Sequence, residues 1–327
     1  MSTPSGAGAG RDDAATLAQR LRGGDLTVAP AVLNLLEGRG EADRARAEAL
    51  QATLSPASLG REAPGALVGV TGPPGVGKSS LLSRLAGAWR ADGRTVAVLA
   101  VDPSSRRSGG ALLGDRARIE REAGDQGLFI RSTAAGDRLG GLAPATRAAA
   151  SVLAVAFDVV VVETVGVGQS ETDVADLADT VAVIVQPGSG DVLQFLKSGI
   201  MEIPDVLVVT KADLGPPAQR TQADLRAALR SLGSRDTPVV AVSSAAPPSG
   251  IEELVTALDS HRGSIDVAAR RLHSRRNAAL ADLRAELGDR GLRALGGRRG
   301  ALATLSAWDP MLDAATLARM LRERALE

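Results

Sequence analysis

Seven short apolar runs punctuate the chain: "ALVGVTG" after Pro64-Gly65, "TVAVLAV" at 95–101, "GLFIR" at 127–131, "FDVVVVE" at 157–163, "TVAVIVQ" at 180–186, "DVLVVT" at 205–210 and "PVVAVS" at 238–243. They are rich in β-branched residues and mostly do not alternate with polar ones. That pattern predicts strands buried on both faces, as in a parallel sheet. Helical segments fall between them, for example at 79–92 and 219–232. The pattern over 62–260 therefore predicts a doubly wound α/β domain. Before it, residues 1–61 read as a flexible tip and then helical patches such as "AATLAQRLRGG" and "DRARAEALQATL". After it, residues 261–327 read as helix only, interrupted at Gly296-Gly297, with Asp309-Pro310 expected to start the last helix.

Composition narrows the function classes. Hydrophobic residues make up 44% of the 327, enough for a sizeable core, and Lys+Arg and Asp+Glu both total 38. Bulk charge thus gives no reason to expect a nucleic-acid or membrane partner. No apolar run approaches the roughly 20 residues that span a bilayer, and the first residues lack the pattern of a signal peptide, so a cytoplasmic location is expected. Cysteine is absent, which excludes disulfides and thiolate metal sites. Lysine is nearly absent: of the 38 basic residues only Lys78, Lys197 and Lys211 are not arginine. Each surviving lysine marks a place where a planar guanidinium would not serve.

"GPPGVGKS" at Gly72–Ser79 follows one predicted strand and opens a predicted helix. In that context G-x-x-x-x-G-K-S is a phosphate loop. Its glycines let backbone N–H groups wrap phosphates, Lys78 reaches the β- and γ-phosphates, and Ser79 ligates Mg²⁺. The nucleotide-binding set is Gly72, Gly75, Val76, Gly77, Lys78, Ser79 and Ser80. Other polar residues recur at strand ends, where open α/β sheets bind ligands: Asp102, Glu163, Thr210-Lys211-Ala212-Asp213 and Ser243-Ser244-Ala245. The Asp213 carboxylate matches the two donors on the guanine edge, whereas a buried carboxylate facing adenine would stay unpaired. Lys211 lays its stem over the base. Thr210 stands where many GTPases have Asn.

With these motifs placed, the chain resembles the MeaB/ArgK-type GTPases, chaperones of the cobalamin-dependent methylmalonyl-CoA mutase. The resemblance rests on "GPPGVGKSS", "AVDPSSRRSGGALLGDRARI", "RLGGL", "VVVETVGVGQSE", "QPGSGDVLQFLKSGIMEIPDVLVVTKAD" and "HRGSIDVAARRLHSRRNAAL". It implies a GTPase using GTP/GDP and Mg²⁺, slow alone and stimulated by a cobalamin-dependent acyl-CoA mutase. It places Glu163 near the Mg²⁺ shell, matches Asp102 and Asp115 to acidic positions that respond to metal and nucleotide, and marks 188–200 as a partner-sensing switch. It further implies a homodimer joined by the C-terminal helical arm, and N-terminal helices packed on the GTPase domain.

Within the switch segment, Lys197 is read as a cation that swings toward the phosphates when the partner binds. Gln169 and Gln194 are candidates to orient the attacking water. His261 and His273 are expected at the surface or an interface. The residues also speak against rival classes. A metal-insertion GTPase needs Cys/His ligands, and this chain has no Cys and two His. A P-loop kinase is disfavoured by Asp213 and by the lack of a recognisable acceptor site. From this reading, GTP is preferred over ATP and Asp213→Asn weakens the preference. Competition binding measures it, and unchanged selectivity in the variant contradicts the reading of this loop.

Overall fold

The computed structural model describes residues 13–38, 40–102, 124–134, 142–164, 170–188, 204–234 and 236–327. Its centre is a seven-stranded sheet, all parallel, with strands β1 (Ala66–Thr71), β2 (Val96–Asp102), β3 (Leu128–Ala134), β4 (Val159–Glu163), β5 (Thr180–Val185), β6 (Val206–Val209) and β7 (Val239–Ala241). The spatial order is β3-β2-β4-β1-β5-β6-β7, which puts β1 in the middle.

Both faces of the sheet are covered, as the unalternating strands require. Side chains still alternate between faces with period 2. In β4, Val159 and Val161 pack with helices α5 (Lys78–Ala91) and α9 (Ile251–Ser264). Val160 and Val162 face the other way, toward α6 (Pro144–Leu153) and α7 (Ser170–Leu177). The same side receives α1 (Ala14–Arg22), α2 (Ala29–Leu36), α3 (Glu41–Thr53) and the short α4 (Pro56–Leu59) of the N-terminal region. Leu17, Leu21, Val32, Leu33 and Leu50 share one core with Leu67 and Leu99 of the sheet, so these helices have no core of their own. The β5–β6 part of that face is closed by α8 (Pro216–Ser231). This helix begins three residues before its apolar periodicity, because Gly215 turns the chain and Pro216 suits the first helical position.

The C-terminal region is α10 (Val267–Ala294), α11 (Gly297–Ser306) and α12 (Ala314–Leu326), packed around Leu280, Leu283, Leu305, Leu317 and Leu321. The helix α10 breaks at Gly288, and positive φ recurs at Gly296, the N-cap of α11, and at Gly297, its first residue. The last helix does not start at Asp309-Pro310. Asp309 instead accepts from the Met311 N–H in a turn, and Asp313 is the N-cap, accepting from Thr316 N at 2.9 Å.

Two carboxylates at the amino edge of the sheet anchor α9 and α10. Asp179, fully buried, accepts from Leu67 N at 3.0 Å and from Arg271 at 2.8 and 2.6 Å. Arg271 also donates to the carbonyls of Ala63 and Gly65. Asp205 accepts from Val181 N and Arg270, and His261 bridges Asp205 and the Thr180 hydroxyl. His261 is therefore a half-buried tie within the chain, whereas His273 is exposed and meets Asn277.

Burial alone would raise the Asp205 pKa. The His261 hydrogen bond, the Arg270 charge and the Val181 N–H together outweigh it and hold the carboxyl below its ordinary 3.8. A group with a depressed folded pKa contributes stability that is full above its unfolded pKa and is lost as pH falls through the folded value. Asp205→Asn is thus destabilising at pH 7, and the gap to wild type narrows below about pH 4. Urea unfolding from pH 7 to pH 3 measures this; a gap that does not change with pH contradicts it.

Candidate nucleotide site

The carboxyl ends of β1, β4, β5, β6 and the segment after β7 converge on one rim. Leaving β1, the chain turns at Gly72, whose φ of +150° brings its backbone against β5: an added Cβ would lie 2.3 Å from the Ile184 carbonyl oxygen. Gly75 and Gly77 take φ of +79° and +97°, and an added Cβ at either meets nothing within 4 Å. These two positions border open space and need glycine for conformation, not for fit. The loop is pinned from below by Val76, which is buried in the core with Leu81 and Leu85. The first turn of α5 then presents its N–H groups at this opening. Lys78 is 8% exposed, and its ammonium donates to Gly72 O at 2.8 Å and Pro73 O at 3.2 Å, within the curl of the loop. Ser79 is half-buried and Ser80 exposed at the start of the same helix.

Glu163, the last residue of β4, pairs in register with Val70 of β1 and Ala100 of β2 and is 4% exposed. The sheet thus carries its carboxylate to the strand end beside the phosphate loop. The next residue, Thr164, was missed in the sequence. It is fully buried, and its hydroxyl donates to Thr71 Oγ1 at 2.9 Å while its N–H donates to Val70 O, locking the end of β4 to the end of β1.

After β6, Thr210 is 4% exposed, and its hydroxyl donates to Val76 O at 2.7 Å. Thr210 is therefore a strap between the segment after β6 and the phosphate loop. Lys211 has φ of +55°, a left-handed conformation uncommon outside glycine, and turns the chain into a 3₁₀ turn at Ala212–Leu214. Its ammonium donates to Gln186 Oε1 at the end of β5. Asp213 is exposed, not buried, and one of its oxygens accepts from Ser243 Oγ at 2.6 Å. The penalty for an unpaired carboxylate therefore applies once a base covers it. Ser243 is buried, while Ser244 is half-buried and Ala245 exposed beside it.

The residues fit a magnesium–nucleotide. The loop offers a donor-lined opening with a cation, Asp213 and Lys211 stand on the same rim, and Ser79 and Glu163 are oxygen ligands of the kind Mg²⁺ takes. Asp102 closes β2, and nothing is described of its side chain. Asp115, Gln169, Gln194 and Lys197 lie outside the described residues, as does most of 188–200. Among the described residues no group of three or more acidic or histidine side chains could by itself hold a metal. A cavity of about 260 Å³ opens elsewhere, between α3, α6, α10 and α12, and no residue of the candidate site lines it.

A phosphate loop on the central strand of a parallel sheet, with an aspartate-bearing loop two strands away, defines a P-loop nucleotide-binding protein. The family model described as Methylmalonyl Co-A mutase-associated GTPase MeaB matches residues 29–294, and the chain belongs to that family. A Pyrococcus abyssi protein named "Putative GTPase" is 46% identical over 218 residues, covering 64% of this chain and 66% of that protein. The mouse protein named Methylmalonic aciduria type A homolog, mitochondrial, is 41% identical over 193 residues, which is 57% of this chain and 46% of that one. The alignments thus span just under two thirds and just under half of these relatives. The crystal structure of a LAO/AO transport system kinase superposes with a TM-score of 0.64 at 26% identity, covering 98% of this chain and all of that one. No described helix is long and apolar enough to cross a membrane.

Gly72→Ala forces a Cβ into the β5 backbone and a strained φ at once, so it destabilises the fold by more than about 2 kcal/mol. Gly75→Ala meets no atom and costs about 1 kcal/mol for its φ. Chemical denaturation of the two variants checks the order; equal stabilities contradict the close approach at Gly72.

Proposed function

We propose that this protein is a GTP-hydrolysing chaperone that gates cofactor loading and protects a cobalamin-dependent acyl-CoA mutase of the methylmalonyl-CoA mutase type. The observation that carries the reading is the Thr210–Val76 tie, which joins a guanine-reading loop to a phosphate loop in a member of a mutase-associated GTPase family. In this reading Lys78 and the N–H groups of the loop hold the phosphates, and Asp213 and Lys211 hold the base. Ser79 and Glu163 hold Mg²⁺, with Asp102 and Asp115 as further acidic positions responsive to the metal. The ion supplies charge neutralisation on the phosphates when bound.

The described rim holds no histidine, which suits slow hydrolysis that awaits a partner. Lys197 supplies the missing charge when the mutase docks on 188–200, and Gln169 orients water. Residues 1–61, 62–260 and 261–327 act as an N-terminal helical cover, the GTPase unit and a homodimerisation arm, and the protein works in the cytoplasm. Nucleotide state becomes conformation through segments ordered by phosphate and metal.

The test is a pull-down from the native host with and without a non-hydrolysable GTP analogue, followed by phosphate-release assays with the captured enzyme. A cobalamin-dependent mutase is captured in amounts that depend on the analogue, and it accelerates hydrolysis by wild type more than by Lys197→Ala. Absence of any cobalamin enzyme from both arms overturns the function. Equal acceleration of wild type and variant overturns the role of Lys197.

A further inference from the structure

We propose that Arg84, on the helix that follows the phosphate loop, is a positioning residue for guanine selection, acting on Asp213 through a hydrogen-bond relay. Neither the phosphate-loop motif nor the base-reading motif includes it. Arg84 Nε donates to the Ser244 carbonyl at 3.1 Å, from 160 residues away in the sequence. A trans peptide unit is planar, and its C=O and N–H point in opposite directions. Holding the Ser244 oxygen therefore also fixes where the Ala245 N–H points. That N–H donates to Ser243 Oγ at 3.2 Å, and Ser243 Oγ donates to Asp213 Oδ1 at 2.6 Å.

The path runs from α5 to the carboxylate without a gap: guanidinium, peptide unit, hydroxyl, carboxylate. Each link is directional. Ser243 is 3% exposed, so its hydroxyl has little water to turn to, and it accepts from Ala245 while donating to Asp213. If the Ser244–Ala245 peptide rotates, the hydroxyl loses its incoming N–H and the carboxylate loses the group that orients it. Thr210 braces the segment that carries Asp213 against Val76.

The arrangement couples the two ends of a nucleotide. Lys78 and Arg84 lie six positions apart on α5, less than two turns. One rigid helix thus carries both the phosphate cation and the group that sets the angle of the base-reading carboxylate. This inference rests on the guanine reading proposed above and goes beyond it by naming what orients Asp213.

The experiment uses the full chain and the affinities of GDP, IDP and ADP by displacement of a fluorescent nucleotide. IDP lacks the exocyclic amine that Asp213 would accept from. Arg84→Met lowers the GDP-over-ADP ratio about tenfold and narrows the GDP-over-IDP ratio, with ADP affinity within about twofold of wild type. Ser243→Ala gives a similar loss, the double variant loses no more than either single one, and Arg84→Lys recovers part of the ratio. A merely structural Arg84 would lower all three affinities together. Full selectivity in Arg84→Met, or losses that multiply in the double variant, overturns the relay. Wild type that binds GDP and ADP equally overturns instead the guanine reading beneath it, so the two failures are told apart.

Discussion

The buried pair of Asp179 and Arg271 is the fixed point of this structure. Asp179 stands at the amino end of β5, holds the Leu67 amide near the start of β1, and draws in Arg271 and Arg262 from the helices that leave the sheet. Arg271 in turn satisfies the carbonyls of Ala63 and Gly65 just before β1. One carboxylate therefore joins the segment entering β1, the central strands and the first helix of the C-terminal arm. Removing either charge would strand the other in a site that water does not reach, at a cost of about 3–5 kcal/mol. With Asp205, Arg270 and His261 beside it, the amino edge of the sheet becomes a clamp.

The clamp frees the opposite edge for chemistry. In a parallel sheet every strand delivers its carboxyl end to one rim, and loops there can be short and unusual because the strands beneath are buried on both faces. Gly72 touching the β5 backbone, Lys211 in a left-handed conformation, and Thr164 locked to Thr71 are departures of this kind. Each strains or constrains a rim residue, and the constraint is held by the packed strands below. The hydrogen bonds of Thr210 and Arg84 then stitch the segments after β6 and β7 to the phosphate loop and the helix that follows it.

Much of this was legible in the chain. Unalternating β-branched runs announced strands covered on both sides, and the spacing of Gly72 to Ser79 after such a run located the phosphate loop. The strand-end positions of Glu163, Asp213 and Ser243 followed from the same logic. What stayed hidden depends on partners distant in sequence. Arg84 reads as one more helix-face arginine until Ser244 is beside it, and Asp179 reads as a strand-entry turn residue until Arg271 arrives. Thr210 read only as a residue standing where many GTPases have Asn, because its hydroxyl's partner, the Val76 carbonyl of the phosphate loop, is 134 residues away. The ties of His261 stayed hidden because nothing in its own helix foretells Thr180 and Asp205. Asp309-Pro310 misled for a local reason: an aspartate before proline favours a turn as well as a cap, and Asp313 offered the better cap.

The proposed function requires this rim to hydrolyse GTP and transfer the phosphoryl group to water. The direct measurement is single-turnover phosphate release by the full chain with Mg²⁺, run in parallel with γ-labelled GTP and γ-labelled ATP, with all products accounted for. Free phosphate is expected from GTP, far less from ATP, and no labelled protein or small molecule. Equal turnover of the two nucleotides, or label appearing on an acceptor other than water, would contradict it.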